Sequence, residues 1–428
     1  MEDQPSAAHP ALQDSIMLFP ILKYIFSYND SCNDAENCRR PAYIMWICVM
    51  TVLLVTWNAF HPNVPAAISF TTMRMAMFCR GLKMMVIAMV APELVAGFAV
   101  RQFKDARELS KVACPKSLPH LPISQFVSLE YGLSLTHAYF FASGGFVDWS
   151  GYIIAAKEQL DDPEILEAIR SVDAQEMKDK SKPEAVVVTL WAVVWLCVYL
   201  AIRRSRNLPA TGLEYATLAF AIMNLITWRY WKYKPLRAYV PWRIGVKPLW
   251  FPQKFPPSAQ LPSRIHVLTA LVGNRTGDDH FSPLELASVP EFWSTGIFPL
   301  DAFKSFDFFL VVLPSIVFGA IHCAAWTAVD FPTSAEIWLW KASSLTLVLV
   351  PLIVWSMFLF VRRAGAIPTL ILWPSVLTYV VARLVLIGLS FAQWRSLSGA
   401  VLTDVSVFLP NPLRLVLGYW WPLVAYLP

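Results

Sequence analysis

The chain has 428 residues, of which 56% are hydrophobic and 15% are charged, and its formal net charge at pH 7 is +5. Soluble globular domains carry about 25% charged residues, so this composition argues against an ordinary soluble protein and predicts a lipid bilayer as its solvent and main partner. No basic run in the sequence suggests DNA or RNA binding, and we expect no nucleic-acid partner.

The seven cysteines form no C-x-x-C pair and no histidine-containing metal pattern, so the sequence predicts neither a metal site nor a cofactor. Cys32 and Cys38 flank the short polar loop SCNDAENC. They would form a structural disulfide if the N-terminus faced an oxidising lumen, and would otherwise remain two free thiols.

Apolar runs of about 20 residues can cross a hydrocarbon core about 30 Å thick as helices. We therefore predict an all-α integral membrane protein, a polytopic bundle of seven or eight transmembrane helices over residues 43–391. Residues 1–42 form a polar segment with an interfacial helix, and residues 392–428 form an apolar tail. The spans are predicted near 43–60, 83–100, 126–147, 184–202, 213–228, 307–329, 339–361 and 367–391.

The segment 126–147 is less apolar than the others and contains Glu130 and His137. It is either a polar-lined span, which gives eight crossings, or a re-entrant segment, which gives seven. The soluble loops 148–183 and 229–306 are expected on the same, cytoplasmic side, because they carry much of the Lys and Arg. The five basic residues between Arg101 and Lys116 fall on the other side in the eight-span arrangement.

Several ionisable residues lie within the predicted spans, among them Glu93, His137, His322 and Arg383. A charge there costs roughly 2.5–3.5 kcal/mol on insertion scales, so each should face protein or water rather than lipid. These four are the candidates for an intramembrane polar pocket. The competing interpretations are structural: a packed histidine bonded to a backbone carbonyl, and carboxylates that pair with arginines.

Arg383 has no acidic residue within a turn of its own helix, so its partner must come from another span. The candidates are Glu93, Glu130 and Glu214, and we predict Glu93 because it is the carboxylate most deeply embedded in an apolar run. Glu336 follows a Pro-Thr-Ser turn, which favours a capping role at the start of the next helix over a role in the pocket.

Several strings, taken together in chain order, resemble a large family of fungal multi-pass membrane proteins. They are TWNAFHPNVP at 56–65, APELVAGFAVRQ at 91–102, LTHAYFFASGGF at 135–146, GAIHCAAWTAVDFPTSAEIWLW at 319–340 and YVVARLVLIGLSF at 379–391. The resemblance implies a multi-pass fold and a fungal source. It implies no reaction, because that family has no assigned activity.

The function favoured by the sequence is binding or translocation of a small solute through the polar intramembrane pocket. An alternative is a membrane-embedded enzyme acting on a lipid or isoprenoid, whose lipophilic substrate the many Trp and Phe residues would surround. A third hypothesis is that the protein is a receptor or a scaffold. In each case the expected location is the endomembrane system or the plasma membrane.

Overall fold

The computed structural model describes residues 39–65, 70–110, 132–149, 151–155, 157–173, 184–235, 240–245, 289, 305–364 and 369–405. This part of the chain is mostly helical. The helices are α1 Pro41–Ala59, α2 Phe70–Val90, α3 Pro92–Ser110, α4 Leu135–Ala142, α5 Pro163–Ser171, α6 Glu184–Ser205, α7 Gly212–Trp231, α8 Ser305–Ala324, α9 Ser334–Ala364, α10 Thr369–Ala392 and α11 Gly399–Leu402. The strands are β1 Phe146–Val147, β2 Ile153–Ile154 and β3 Trp242–Arg243.

Within the described residues, four helices are long and apolar enough to cross a membrane, namely α1, α6, α9 and α10. The bent pair α2–α3 could provide a fifth crossing, and α8 contains a shorter apolar stretch, Phe309–Ala324. A membrane location is consistent with these helices. The expected seven or eight crossings are not reproduced: α7 is not among these helices, and α8 has only the shorter stretch. In addition, two of the predicted spans have a different structure.

The first of these is the expected span 83–100, which is two helices rather than one. Helix α2 ends at Val90, α3 begins at Pro92, and the two meet at an angle of 110°. Proline has no backbone N–H, and its ring disfavours a helical conformation at the preceding residue, here Ala91. Helix α2 also begins at Phe70, 13 residues before the predicted start of this span at residue 83.

Both arms of this bent pair return to the same end of the bundle. Met84 of α2 packs in one cluster with Phe60, which follows α1, and Phe98 of α3 packs in that cluster with Trp231, the last residue of α7. The bend itself lies inside the bundle, where the carbonyl of Val90 accepts a hydrogen bond from Arg383. Residues of both arms thus pack in one cluster with residues at the ends of α1 and α7.

The second is the expected span 126–147, in which the helix α4 has only eight residues. At about 1.5 Å per residue it is too short to cross a hydrocarbon core. A tight turn follows, with Gly144 at φ +69° and with Gly145 so close to the Phe140 ring that a Cβ would lie 2.4 Å from it. Residues 126–131 lie outside the described part of the chain.

Beyond this turn, a small sheet in the order β2-β1-β3 gathers the loops at one end of the bundle. Strand β1 pairs antiparallel with β2 and parallel with β3. Ile165 and Ile169 of the amphipathic helix α5 are buried in the same cluster as Trp231 and Ile244. Residues 157–173, 229–235 and 240–245 thus lie at the same end of the bundle, as the predicted common side of the two loops requires.

Helix α7 is the centre of the bundle and contacts α1, α3, α6, α8 and α10. It begins with a capping box in which Thr211 and Glu214 bond each other's backbone N–H groups. It runs parallel to α1: Glu214 bonds Arg39, which precedes α1, and Asn224 bonds Thr56 near the end of α1. The two ends of the bundle are called below the strap end, where Arg39 lies, and the lysine end, where Lys234 follows α7.

Candidate functional site

A cavity of about 130 Å³ lies between α1, α7, α8 and α10, beside the inner end of α2. Its wall is almost entirely apolar. The lining residues are Cys48, Val49, Val52, Met89, Leu213, Ala216, Thr217, Phe220, Phe318, His322, Arg383, Leu386, Ile387, Ser390 and Phe391. Two of the four pocket residues expected from the sequence, His322 and Arg383, are therefore brought together here.

Arg383 is buried and forms an ion pair with Glu93, with 3.9 Å between its Nη2 and the Glu93 Oε2. This is the pairing that the sequence predicted. The guanidinium also donates from Nε to the carbonyl of Val90 at 3.1 Å. It lies 3.8 Å from the centroid of the Phe318 ring, a distance at which a cation is attracted to an aromatic face.

The Glu93–Arg383 pair leaves some of its hydrogen-bonding capacity unused. Tyr379 donates its hydroxyl to the Glu93 Oε1 at 2.9 Å, whereas the Glu93 Oε2 and the Arg383 Nη2 are enclosed without a hydrogen bond. The Arg383 Nη1 makes no hydrogen bond to any described residue either, and it is not among the fully enclosed atoms. Nη1 is thus the guanidinium nitrogen that is neither bonded to a described residue nor fully enclosed, and Arg383 is one of the residues that line the cavity.

His322 has the structural contact that the sequence offered as an alternative to function. Its Nδ1 donates to the carbonyl of Phe318 at 2.8 Å, and its ring packs against Phe318 and Trp340. A neutral imidazole with its proton on Nδ1 has Nε2 as an acceptor. His322 and Arg383 thus both line the cavity, and the Nδ1 proton of the imidazole is already bonded to Phe318.

His137 does not lie at the cavity, which corrects the expected pocket. Its Nδ1 is 2.7 Å from the Ser134 hydroxyl, and its Nε2 is 2.8 Å from the carbonyl of Val172. These contacts tie α4 to the end of α5 near the lysine end. The short helix α4 thus keeps His137 near the lysine end and away from this cavity.

The remaining expectations have mixed outcomes. Cys32, Cys38 and Glu130 lie outside the described residues. Glu336 donates its backbone N–H to the Thr333 hydroxyl at 3.3 Å, as predicted for a cap, while its carboxylate bonds Arg395. No group of three or more His, Cys, Asp and Glu that could hold a metal ion is present in the described ranges.

Sequence reasoning missed a buried network at the strap end. Arg39 and Arg203 both donate to the Tyr199 hydroxyl, and Arg39 pairs with Glu214 at 2.5 Å. Glu214, considered above as a partner for Arg383, is thus used elsewhere. Arg203 lies in the string RRSR, which by itself suggests only charges at the end of a membrane span. The sequence signal that could have revealed the network is the T-x-x-E capping box at the start of α7.

This network holds a segment that we call the strap, residues 393–405. Arg203 donates from Nη1 to the carbonyl of Thr403 at 2.8 Å and from Nη2 to the carbonyls of Ala400 and Val401 at 3.1 and 3.0 Å. Two strap residues, Trp394 and Leu402, pack in one cluster with the cavity residues Cys48 and Leu213. The strap therefore packs beside two residues of the cavity wall at the strap end.

A second missed cluster lies at the lysine end. Lys234 is 2% exposed, and its Nζ donates to the Asn63 Oδ1 at 2.9 Å and to the Gln102 Oε1 at 3.0 Å. Burial lowers the pKa of Lys234 well below its usual value, and the positive charge of Arg80 lowers it further. Burial also lowers the pKa of the neighbouring His61, to about 4.

Three comparisons with known proteins were made. The model of a family of unknown function, DUF8562, matches residues 29–245, which run from before α1 to the end of the sheet. A search of curated proteins and a search of solved structures found no match. Because the matched region covers half of the chain, the protein belongs to this family of unknown function.

Proposed function

We propose that this is a multi-pass membrane protein, of the fungal kind that the sequence resembles, with six crossings by α1, α6, α7, α8, α9 and α10. In this arrangement α2–α3 is a re-entrant hairpin from the lysine end. Contacts at the helix ends support the alternation of directions. Arg203 near the end of α6 lies at the strap end, where α7 begins, and the bond from Ala210 to the carbonyl of Ala328 brings the chain after α8 to that end.

The distribution of Lys and Arg supports this arrangement over eight crossings. With six crossings, 25 of the 35 Lys and Arg residues belong to the lysine end and 9 to the strap end, whereas eight crossings give 20 and 14. The difference is the group of five between Arg101 and Lys116. Because Lys and Arg accumulate on the cytoplasmic side, the lysine end is cytoplasmic in our proposal.

Helix α7 is less apolar than the other crossings because it is surrounded by helices rather than lipid. Of its 20 residues, 13 are buried, and its Thr217 and Asn224 bond to backbone carbonyls of their own helix. Polar side chains are tolerated in a membrane helix when they face the interior of the bundle. The modest mean hydropathy of α7 is therefore compatible with its crossing the membrane inside the bundle.

Thiol labelling tests this topology. Cysteines introduced at Arg107, Glu167 and Arg206, in a background without native cysteines, are labelled with a membrane-impermeant reagent in sealed vesicles. We expect 107 and 167 to react from one side and 206 from the other. Reaction of 107 and 206 from one side, with 167 opposite, would instead support eight crossings.

We further propose that the protein binds a small solute in the cavity beside Arg383. The observation that carries this proposal is a buried guanidinium with an unused donor atom in a wall that is otherwise apolar. The size of the cavity favours a small solute over a whole lipid or isoprenoid, because an engineered protein cavity of about 150 Å³ holds a molecule of benzene. Binding at this depth is also the first step that translocation would need.

The test is to incubate the purified protein with a metabolite extract, re-isolate it, and identify the bound molecules by mass spectrometry. Ala216→Leu is the cavity-filling variant, since Ala216 lines the cavity. Ala201→Leu makes the same change at an exposed position of α6 and is the control. We expect a species that the wild type and Ala201→Leu retain and Ala216→Leu loses. Equal retention by all three proteins would refute binding in the cavity.

A further inference from the structure

We infer that the ligand of this cavity is a neutral, mainly apolar molecule about the size of benzene, whose single hydrogen-bond acceptor is bound by the Nη1 of Arg383. A carbonyl or ether oxygen provides such an acceptor. This inference rests on the proposed solute binding and defines the chemical class of the solute.

The polar groups around the cavity determine what a ligand must offer. Thr217 and Ser390 line it, but each donates its hydroxyl proton to a backbone carbonyl of its own helix, Leu213 at 2.8 Å and Leu386 at 2.9 Å. His322 likewise donates its Nδ1 proton to Phe318. The strong donor that remains on the described wall is the Arg383 Nη1, so the ligand needs an acceptor at one point.

The apolar remainder of the wall determines the rest of the ligand. A second polar group on the ligand would lose its hydrogen bonds to water on entering the cavity. The apolar side chains of the wall cannot replace those bonds; they include Val49, Val52, Phe220, Leu386 and Phe391. Burying a polar group without a partner is unfavourable. A ligand with a single acceptor and an otherwise hydrocarbon body matches these surroundings.

The charge balance of the site favours a neutral acceptor over an anion. The guanidinium already has the Glu93 carboxylate as its counter-charge, with 3.9 Å between the Arg383 Nη2 and the Glu93 Oε2. The same guanidinium bonds the Val90 carbonyl and lies over the Phe318 ring. A carboxylate placed at Nη1 would therefore meet a second negative charge across one guanidinium group, and like charges at short range in a buried site repel.

Three probes of nearly equal shape separate these chemistries: acetophenone has a neutral acceptor, benzoate is an anion, and α-methylstyrene has neither feature. Binding is measured as protection of Cys48, which lines the cavity, against methyl methanethiosulfonate in a protein whose other cysteines are serine. We expect acetophenone to bind about tenfold more tightly than either other probe, the gain of one hydrogen bond to a charged donor. Equal or tighter binding of benzoate or α-methylstyrene would overturn the ligand class.

Two variants sharpen the test. Glu93→Gln removes the counter-charge but keeps an oxygen for the Tyr379 hydroxyl, and we expect the preference to shift at least tenfold towards benzoate. Arg383→Met should abolish the preference of acetophenone over α-methylstyrene. Glu167→Gln, which changes the charge of an exposed residue on α5, is the control and should leave the order of the probes unchanged.

The outcomes distinguish this inference from the function on which it rests. If neither the three probes nor benzene itself, which matches the size of the cavity, protects Cys48, solute binding in the cavity is wrong. If all three protect it and benzoate binds most tightly, the cavity binds solutes and only the neutral class is wrong. If Glu93→Gln folds and does not shift the preference towards benzoate, the argument that Glu93 neutralises the charge of Arg383 is wrong. This measurement does not depend on whether Arg383→Met folds.

Discussion

The pairing of Arg383 with Glu93 predicts a large energetic coupling between two residues that are far apart in the chain. Both side chains are almost fully buried, at 5% and 0% exposure, with 3.9 Å between the charged atoms. At an effective dielectric constant of about 20, two unit charges at this distance attract by about 4 kcal/mol. Arginine does not lose its proton in proteins, so Arg383 cannot become neutral when its partner is removed.

The perturbation is a double-mutant cycle with Arg383→Met, Glu93→Leu and the double variant. Arg383→Met leaves the Glu93 carboxylate with the Tyr379 hydroxyl as its hydrogen-bond donor among the described residues. Removing one partner of a buried pair typically costs about 3–5 kcal/mol, because the other charge remains buried and unpaired. We therefore expect each single variant to lower the free energy of unfolding by this amount, and the double variant by clearly less than the sum of the two.

The assay is the free energy of unfolding in mixed micelles, with the yield of folded protein as a second measurement. Arg170 and Glu167 on α5 provide a matched control, because their charged atoms are also 3.9 Å apart but their side chains are 32% and 78% exposed. Exposed pairs contribute about 0.2–1 kcal/mol. A coupling for Arg383 and Glu93 no larger than that of the control pair would refute the argument that burial makes this pair strong.

Two further predictions concern the two ends of the bundle. The pKa of Lys234 is lowered in the folded state, so the unfolded chain binds a proton that the folded chain does not, and stability should rise with pH up to the unfolded value of about 10.4, by at most about 1.4 kcal/mol per pH unit. Unfolding measured at pH 7 and pH 9 should show this rise in the wild type but not in Lys234→Met; equal slopes would contradict it. At the strap end, Arg203→Met removes the bonds to three strap carbonyls and should speed labelling of Cys48 at least several-fold, whereas Arg204→Met, at the exposed neighbouring position, should not.

Much of the helical framework was readable from the sequence because hydrophobicity along a helix is a local property. The predicted spans 43–60, 184–202 and 213–228 correspond closely to α1, α6 and α7. The pairing of Arg383 with Glu93 was also predictable, because the cost of a buried charge demands a partner of opposite sign at similar depth. These arguments need composition and depth but no knowledge of how the helices cross.

The tertiary structure decided where the chain turns back and which polar groups meet. Pro92 was visible in the sequence, but a proline within an apolar run is compatible with a slight kink or with a sharp bend. Only the structure gives the 110° angle between α2 and α3 and the packing of Met84 and Phe98 in one cluster. The contact of Arg39 with Glu214 joins residues 175 positions apart, and that of Lys234 with Asn63 joins residues 171 apart. Such contacts depend on the relative positions of whole helices, which no local pattern contains. By itself the sequence determined that buried charges require partners, and the packing of α1, α3, α6 and α7 determined which partners they have.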